Sequence, residues 1–215
     1  MNKVGFIGIG RMGRPMALNL LKNGFKLTVF DIDENAINIL VNEGAHAVKS
    51  VSKIVKHSDI IITMLPNPLT VSEVLLGSNG VLSNATEGLT IMDMSTVDPK
   101  TTDKIAKMCS KQKIAFIDAP VGRLASHADI GESLFMVGAS KTDFDLVKPL
   151  LKSMGTTIYH CGPCGTGTRT KIVNNFLAVA SCQMNAEALT LMKQLDLDLD
   201  TTLDVLYGTT GFNGQ

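Results

Sequence analysis

The sequence lacks the residues on which several classes of protein depend. Its 215 residues contain no Trp and only 2 Tyr, so it offers little aromatic surface on which nucleic-acid bases could stack. Its 20 basic and 20 acidic side chains cancel, and a broad positive surface is therefore not expected. This composition argues against nucleic acid as a partner.

Cysteines and long apolar runs are also scarce. The 4 cysteines do not suggest the disulfide framework of a secreted domain in a chain of this length. The apolar stretch that begins at Val4 is too short and too rich in Gly for a secretion signal, and no later run is long enough to cross a bilayer. We expect a cytoplasmic protein with no membrane association, and we expect no metal site because ligand spacings are missing.

Short β-rich runs alternate with helical patterns between Val4 and Tyr159, which predicts a mostly parallel sheet with helices on both faces. The pattern then changes. From Gly167 to about Leu195 the apolar residues fit one long helix, and residues 200–207 begin another. We therefore predict an α/β domain over residues 1–162, followed by the first helices of an all-helical domain over residues 163–215.

The segment Gly8-Ile9-Gly10-Arg11-Met12-Gly13 matches the pattern G-x-G-x-x-G. It follows a predicted strand and opens a predicted helix, which is the setting in which this pattern binds a dinucleotide. Gly8 permits the tight turn, Gly10 lets the backbone approach a pyrophosphate, and Gly13 permits close packing of helix on strand. The N–H groups at the helix start favour phosphate. The α/β domain is thus expected to be a doubly wound, Rossmann-like cofactor domain.

Asp31 ends the second predicted strand, about twenty residues beyond the glycine loop, where an acid binds the adenosine ribose. A carboxylate at this position also repels a 2′-phosphate, and the next residue is Ile32 rather than an Arg that would bind one. NAD is therefore the predicted cofactor, in preference to NADP. Asp33 and Glu34 are expected to cap the following helix.

The glycine loop belongs to a longer block, Gly8 to Leu20, that resembles the opening of β-hydroxyacid dehydrogenases such as 3-hydroxyisobutyrate dehydrogenase and tartronate semialdehyde reductase. Three further blocks agree with this family in order and spacing. They are Met64-Leu65-Pro66, Asp93-Met94-Ser95-Thr96, and Gly165-Thr166-Gly167 followed by Lys171-Ile172-Val173-Asn174-Asn175. Together the blocks span nearly the whole chain, which makes the resemblance specific.

The resemblance implies a role for each block. It implies that the cofactor is lined by Arg11, Met12, Asp31, Leu65, Pro66 and Thr96, that Lys171 is catalytic, and that Asn174 and Asn175 bind substrate. A reducing enzyme needs a proton donor beside the carbonyl oxygen, and a Lys whose pKa is lowered by partial burial meets that need. Lys171 and Asn175 are four residues apart and share one helix face.

The substrate loop departs from the family pattern D-A-P-V-S-G-G. This chain has Asp118-Ala119-Pro120-Val121-Gly122-Arg123-Leu124, so that the Ser is lost and an Arg appears. The variant loop resembles the sulfolactaldehyde reductase branch, whose members reduce 3-sulfolactaldehyde to 2,3-dihydroxypropane-1-sulfonate. A guanidinium donates paired hydrogen bonds to an oxyanion, so we predict substrate binding at Gly122, Arg123 and Leu124, with Arg123 on the sulfonate.

The same positive charge suits a carboxylate, and other substrates of the family stay open. They are 3-hydroxyisobutyrate, 4-hydroxybutyrate with its partner succinic semialdehyde, and tartronate semialdehyde. The resemblance also implies that family members continue through further helices, which complete the site and build a homo-oligomer. On this interpretation the chain ends partway through its helical domain, and a cofactor-binding protein without catalysis is an alternative.

A second alternative comes from Cys161-Gly162-Pro163-Cys164, a C-x-x-C motif between a strand and a helix. Thiol–disulfide exchange uses this arrangement, because a helix N-terminus lowers the pKa of a thiol. No separate thioredoxin-sized βαβ unit surrounds the motif, and the family pattern has Gly-Pro here as the hinge into the long helix. The dehydrogenase interpretation is therefore preferred.

Overall fold

The computed structural model describes residues 3–209, in which nine strands form one mostly parallel sheet. The strands are β1 (Val4–Ile7), β2 (Leu27–Phe30), β3 (His46–Ala47), β4 (Ile60–Thr63), β5 (Thr90–Asp93), β6 (Ala115–Asp118), β7 (Val121–Gly122), β8 (Ser133–Gly138) and β9 (Gly155–Gly162). The helices are α1 (Gly13–Lys22), α2 (Glu34–Asn42), α3 (Val51–Lys56), α4 (Pro68–Leu76), α5 (Val81–Asn84), α6 (Pro99–Lys111), α7 (Ala125–Asp129), α8 (Lys141–Met154), α9 (Thr166–Gln194) and α10 (Leu199–Gly208).

Strands β1 to β6 are parallel and lie in the order β3-β2-β1-β4-β5-β6. In the register of this sheet, Val4 pairs with Leu27 on one side and with Ile60 on the other. The chain thus adds β2 and β3 on one side of β1 and then crosses to its other side to add β4. Such a switch point opens a crevice at the carboxyl ends of the strands. The doubly wound, Rossmann-like fold predicted from the sequence is confirmed.

The far side of the sheet is mixed. Strand β8 is antiparallel to β6, where Asp118 pairs with Gly138, and antiparallel to β7. Strand β9 runs parallel to β8. This arrangement brings the start of α9, which follows β9, close to the carboxyl end of β6.

Both faces of the sheet are buried, which explains the continuous apolar runs of its central strands. Successive side chains of a strand point to opposite faces. In β4, Ile60 and Ile62 therefore join the hydrophobic cluster that contains Met16 and Leu20 of α1, whereas Ile61 joins a second cluster on the other face with Ile105 of α6. Two helical layers consequently hold the sheet and its carboxyl edge in place.

Three short elements had no counterpart in the sequence predictions, namely α5, β7 and α7. Each has only two to five residues, which is too short to display a helical or strand periodicity. The long helix predicted from Gly167 to about Leu195 is observed as α9, with bounds one residue away at each end. Asp33 caps α2 as predicted, since its side chain accepts a hydrogen bond from Asn35 N–H.

The chain divides into two compact units, residues up to Lys171 and residues from Ile172 onward. The second unit contains the rest of α9 and α10, and it exposes many large apolar side chains, among them Val173, Phe176, Leu177, Val179, Met184, Leu189, Leu191 and Leu195. The boundary predicted at residue 163 stays a prediction. No helix between residues 3 and 209 is long and apolar enough to cross a membrane.

Candidate functional site

A cleft of about 480 Å³ opens at the carboxyl ends of β1, β2 and β4, on the switch point of the sheet. Its walls come from the turns that follow these three strands, from Gly13 of α1 and from Thr70 and Val74 of α4. The lining residues are Ile7, Gly8, Gly10, Arg11, Met12, Gly13, Phe30, Asp31, Ile32, Met64, Leu65, Pro66, Thr70 and Val74. The cleft thus brings together eight of the nine residues that the sequence assigned to the cofactor.

The three glycines of the first turn are required for different reasons. Gly8 has a φ of +89°, and a Cβ there would lie 2.3 Å from the Met64 carbonyl oxygen. A Cβ on Gly13 would lie 2.0 Å from the carbonyl oxygen of Gly8. Apart from its two chain neighbours, no described residue has an atom within 4 Å of a Cβ built on Gly10. The space in front of Gly10 is therefore open to a ligand.

The N-terminus of α1 differs from that of its neighbours. Asp33 caps α2 and Asp98 caps α6, but Met12 at the start of α1 makes no side-chain capping bond, and the first turn of α1 has no acidic residue. The N–H groups of the turn before α1 and the positive end of the helix dipole are thus left to an anion. Together with the open space at Gly10, they fit the pyrophosphate of a dinucleotide.

Asp31 lies at the end of β2, where two main-chain N–H groups hold its carboxylate. Oδ2 accepts a hydrogen bond of 2.7 Å from Ile9 N–H, and Oδ1 accepts one of 2.9 Å from Asp33 N–H. Each oxygen retains a lone pair for a ribose hydroxyl. The neighbouring Ile32 is 95% exposed and carries no charge.

A buried polar network lies behind the cleft, at the ends of β4 and β5. Asp93 Oδ1 accepts hydrogen bonds from Thr63 Oγ1 at 2.7 Å and from Ser95 Oγ at 2.6 Å. Ser95 Oγ in turn accepts a bond of 2.9 Å from Leu65 N–H. Burial raises the pKa of Asp93, and the hydrogen bonds from Ser95 and Thr63 act against that rise.

A second buried carboxylate, that of Asp118, binds the start of α9. Asp118 Oδ1 accepts a bond of 2.6 Å from Gly165 N–H, and Oδ2 accepts one of 2.6 Å from Thr168 N–H. Burial raises the pKa of Asp118, whereas these two main-chain donors lower it. The carboxylate thus caps the long helix from a neighbouring strand of the sheet.

Two further contacts join α9 to α6. The hydroxyls of Thr102 and Thr168 lie 3.0 Å apart in the interior, and Arg169 makes a bidentate ion pair with Asp103, with distances of 3.0 and 2.8 Å. Lys171 lies on the same segment of α9 and is half-buried. Its burial lowers the pKa of the ammonium group. The lysine that the resemblance implies as catalytic therefore sits on a firmly held segment, with its pKa shifted toward neutrality.

The predicted substrate loop has a defined conformation. Gly122 is buried in β7, while Arg123 and Leu124 are exposed. Arg123 has a φ of +69°, the left-handed region that favours glycine. Its guanidinium donates to the Glu132 carbonyl oxygen at 2.7 Å and to Thr157 Oγ1 at 3.3 Å. These two bonds leave further N–H groups of the guanidinium available to an anion.

Three other predicted residues lie elsewhere. Thr96 is exposed in the turn after β5 and is absent from the lining of the cleft described above. Asn174 and Asn175 lie on the part of α9 that belongs to the second unit, where Asn174 Nδ2 donates to Asn175 Oδ1 at 3.3 Å. Their roles, and that of Lys171, stay predictions.

The cysteines of the C-x-x-C motif are both free thiols, and Cys164 lacks the pKa of a reactive group. Burial of its sulfur and the nearby Asp118 carboxylate raise the pKa of Cys164 to about 12. An activated thiol has its pKa lowered instead. The described residues also contain no group of three or more His, Cys, Asp or Glu that could hold a metal ion.

Sequence reasoning assigned no role to Asp93, Ser95 or the carboxylate of Asp118. A signal for the two acids was present, because both end a buried apolar strand, as Asp31 does: Val29-Phe30-Asp31, Ile91-Met92-Asp93 and Phe116-Ile117-Asp118. In a parallel sheet such ends meet at one edge, and Asp93 indeed pairs with Asp118 in the register of β5 and β6. Their hydrogen-bond partners could not be read from the strands themselves.

The strand order, the glycine turn and the acid at the end of β2 define a dinucleotide-binding α/β protein. Residues 3–162 match the family model of the NAD binding domain of 6-phosphogluconate dehydrogenase. The chain is 41% identical over 209 residues to 2-(hydroxymethyl)glutarate dehydrogenase of Eubacterium barkeri, covering 97% of this chain and 69% of that protein. It is 36% identical over 215 residues to 3-sulfolactaldehyde reductase of Escherichia coli (strain K12), covering 100% of this chain and 72% of that protein. The chain belongs to the 3-hydroxyisobutyrate dehydrogenase-like family of β-hydroxyacid dehydrogenases.

The solved structures agree with this assignment. The 3-hydroxyisobutyrate dehydrogenase of Mycobacterium tuberculosis, solved with L-serine, superimposes with a TM-score of 0.91 at 30% sequence identity, covering 99% of this chain and 72% of that one. The protein is therefore an oxidoreductase that uses a nicotinamide cofactor and acts on the CH–OH group of a small hydroxy acid or on the corresponding aldehyde.

Proposed function

We propose that the protein uses NADH to reduce a short anionic aldehyde to its hydroxy acid, with 3-sulfolactaldehyde as the substrate and 2,3-dihydroxypropane-1-sulfonate as the product. The observation that carries the proposal is the half-buried Lys171, which has a lowered pKa, on a helix that Asp118 caps. NADH is preferred to NADPH because Asp31 presents a carboxylate where a 2′-phosphate would lie and Ile32 offers no positive charge.

Each part of the site would have a separate role in the reaction. The open turn at Gly10 and the uncapped start of α1 hold the pyrophosphate, and Asp31 accepts hydrogen bonds from the ribose. The nicotinamide, when bound, supplies the hydride to the aldehyde carbon. Lys171 donates a proton from Nζ to the aldehyde oxygen, which becomes the hydroxyl, and the lysine is then reprotonated from solvent. NADH and one proton are consumed for each alcohol formed.

Arg123 is proposed to bind the anionic group of the substrate. A guanidinium is a strong donor to anions, and that of Arg123 retains free N–H groups beyond those bound to Glu132 and Thr157. The position also supports a test that leaves the backbone undisturbed. Because φ is +69° at Arg123, an Arg123→Gly variant removes the side chain without straining the turn.

A second candidate substrate is the aldehyde that corresponds to 2-(hydroxymethyl)glutarate. It is favoured by the 41% identity to the dehydrogenase of that compound, which exceeds the 36% identity to 3-sulfolactaldehyde reductase. Both substrates carry an anionic group and an aldehyde group in one short molecule, so Arg123 and Lys171 would serve either one in the same way.

The test is a panel of NADH-oxidation assays with 3-sulfolactaldehyde, the aldehyde of 2-(hydroxymethyl)glutarate, succinic, methylmalonate and tartronate semialdehydes, and an uncharged aldehyde of similar size. We expect 3-sulfolactaldehyde to give the highest kcat/KM, and Arg123→Gly to raise KM for it while leaving KM for the uncharged aldehyde unchanged. We expect Lys171→Ala to abolish turnover and to retain NADH binding. The mechanism is wrong if Lys171→Ala keeps the wild-type kcat, and the substrate is wrong if another aldehyde is reduced more efficiently.

A further inference from the structure

The turn between β4 and α4 forms one wall of the cofactor cleft, through Met64, Leu65 and Pro66. Its Leu65 side chain lies close to the glycine turn, which forms the facing wall. A Cβ on Gly8 would lie 2.9 Å from Leu65 Cδ2. A small displacement of Leu65 would therefore change the width of the cleft beside the glycine turn.

Two main-chain hydrogen bonds attach this turn to the sheet. Met64 N–H donates to the Ile7 carbonyl oxygen at 2.9 Å, and Leu65 N–H donates to Ser95 Oγ at 2.9 Å. Pro66 has no N–H to add a third. Leu65 also packs against the second core cluster, and the acceptor of its N–H is the side chain of Ser95, in the turn after the neighbouring strand.

The orientation of the Ser95 hydroxyl is set in turn by Asp93. A hydroxyl has one proton to donate, and Ser95 donates it to Asp93 Oδ1 at 2.6 Å. A lone pair of Oγ is then left to face Leu65 N–H. Ser95 is 1% exposed and Asp93 is 2% exposed, so water does not compete for either bond.

We infer that Ser95, oriented by Asp93, is a positioning residue for cofactor binding: it holds the Leu65 wall of the cleft at the spacing that a nicotinamide dinucleotide requires. Ser95 is absent from the residues that line the cleft, so it acts through Leu65 rather than through the cofactor. The inference concerns the binding of the cofactor and is independent of the identity of the substrate.

Thr63 supplies a matched control. Its hydroxyl donates to the same oxygen of Asp93 at 2.7 Å and is 0% exposed, but it makes no bond to the turn. The experiment compares Ser95→Ala with Thr63→Val by two readouts, the Kd for NADH from fluorescence titration and the Tm from thermal unfolding. Each variant removes one donor from Asp93, and only Ser95→Ala frees Leu65 N–H.

We expect both variants to lower the Tm, and Ser95→Ala to lower it more, because it also leaves Leu65 N–H without its acceptor. We expect Ser95→Ala to raise the Kd for NADH about tenfold and to raise KM for NADH with kcat at saturating NADH little changed, while Thr63→Val leaves the Kd within about twofold of the wild type. The inference is overturned if Ser95→Ala binds NADH as tightly as the wild type. It is equally overturned if Thr63→Val raises the Kd as much as Ser95→Ala does, since loss of packing around Asp93 would then account for both.

Discussion

Asp118 accepts a hydrogen bond of 2.6 Å from the main-chain N–H of Thr168, and this bond joins the end of β6 to the first turn of the long helix α9. Its second oxygen binds Gly165 N–H, so one carboxylate satisfies two N–H groups at the start of the helix. Lys171 follows three residues after Thr168. Asp118 therefore sets the direction in which α9, the helix of the proposed proton donor Lys171, leaves the sheet. The two residues are far apart in the sequence.

The first prediction is that Asp118→Asn destabilises the protein and lowers kcat. An amide offers one acceptor where two N–H groups need one each, and leaving a buried donor unpaired costs about 1–3 kcal/mol. We expect a lower free energy of unfolding, measured by urea denaturation, and an unchanged Kd for NADH.

Because the Asp118 charge helps to raise the pKa of Cys164, the variant should also react faster with iodoacetamide at that cysteine.

The control for this prediction is Asp103→Asn, which breaks the exposed ion pair with Arg169 on the same helix turn. An exposed pair is worth less than about 1 kcal/mol, so this variant should be nearly silent. Equal effects of the two substitutions on kcat and on stability would show that the cap at Asp118 has no special part in placing Lys171.

The second prediction concerns the pH dependence of the reaction. Burial lowers the pKa of Lys171 below the 10.5 of an exposed lysine, and the proposed reduction needs its protonated form. The kcat for reduction should therefore fall as pH rises through a pKa below 10.5, whereas the kcat for oxidation of the alcohol should rise through the same pKa.

Measurement of kcat in both directions over this pH range, with the Kd for NADH as the control, tests the assignment. Lys171→Arg keeps its charge throughout the range, so it should remove the inflection along with most of the activity. An inflection that persists in the residual activity of that variant would assign the titration to another group.

The third prediction concerns Gly10 and Gly13, two of the three glycines of the first turn. Gly10→Ala places its Cβ in open space, so the free energy of unfolding should change by less than about 0.5 kcal/mol. The methyl group nevertheless occupies the space proposed for the pyrophosphate, and the Kd for NADH should rise at least tenfold, or about 1.4 kcal/mol.

Gly13→Ala should behave in a different way. Its Cβ would lie 2.0 Å from the Gly8 carbonyl oxygen, and relief of this overlap should cost about 1–3 kcal/mol of stability. Thermal unfolding and NADH titration of both variants provide the check. A stable Gly13→Ala variant, or a Gly10→Ala variant with normal affinity, contradicts the geometry of the turn.

The fourth prediction concerns cofactor choice. Asp31→Ser combined with Ile32→Arg removes the carboxylate that is proposed to repel a 2′-phosphate and supplies a guanidinium beside it. We expect the ratio of kcat/KM for NADPH to kcat/KM for NADH to rise at least tenfold. Asp31→Ser combined with Ile32→Gln is the control, because it offers hydrogen bonds without the charge. If the wild type already prefers NADPH, the proposed role of Asp31 is wrong.

Much of the cofactor cleft was predictable because its determinants are local. The glycines of the first turn and Asp31 are separated by fewer than 25 residues and belong to one βαβ unit, and the pattern of that unit specifies how they meet. Asp118 shows the opposite case. Its partners Gly165 and Thr168 are 47 and 50 residues away, and no local pattern predicts the pairing.

Arg123 illustrates a further limit. The sequence showed an Arg where the family has a Gly, and its charge suggested a role in binding an anion. The structure adds that this residue occupies a left-handed conformation and that Glu132 and Thr157 already hold its guanidinium. The chemical type of a side chain predicts which ligands it can bind. Its conformation and neighbours decide how many of its hydrogen-bond donors are free.

The amino-acid sequence by itself determined the alternation of strands and helices, the glycine turn and the acid at the end of β2, since periodicity and turn geometry are properties of adjacent residues. Only the tertiary structure decided which carboxylate caps α9 and which hydroxyl holds Leu65, because those bonds join strands and helices distant in the chain. They form only once the order of the strands has placed Asp93, Ser95 and Asp118 at one edge of the sheet and excluded water from it.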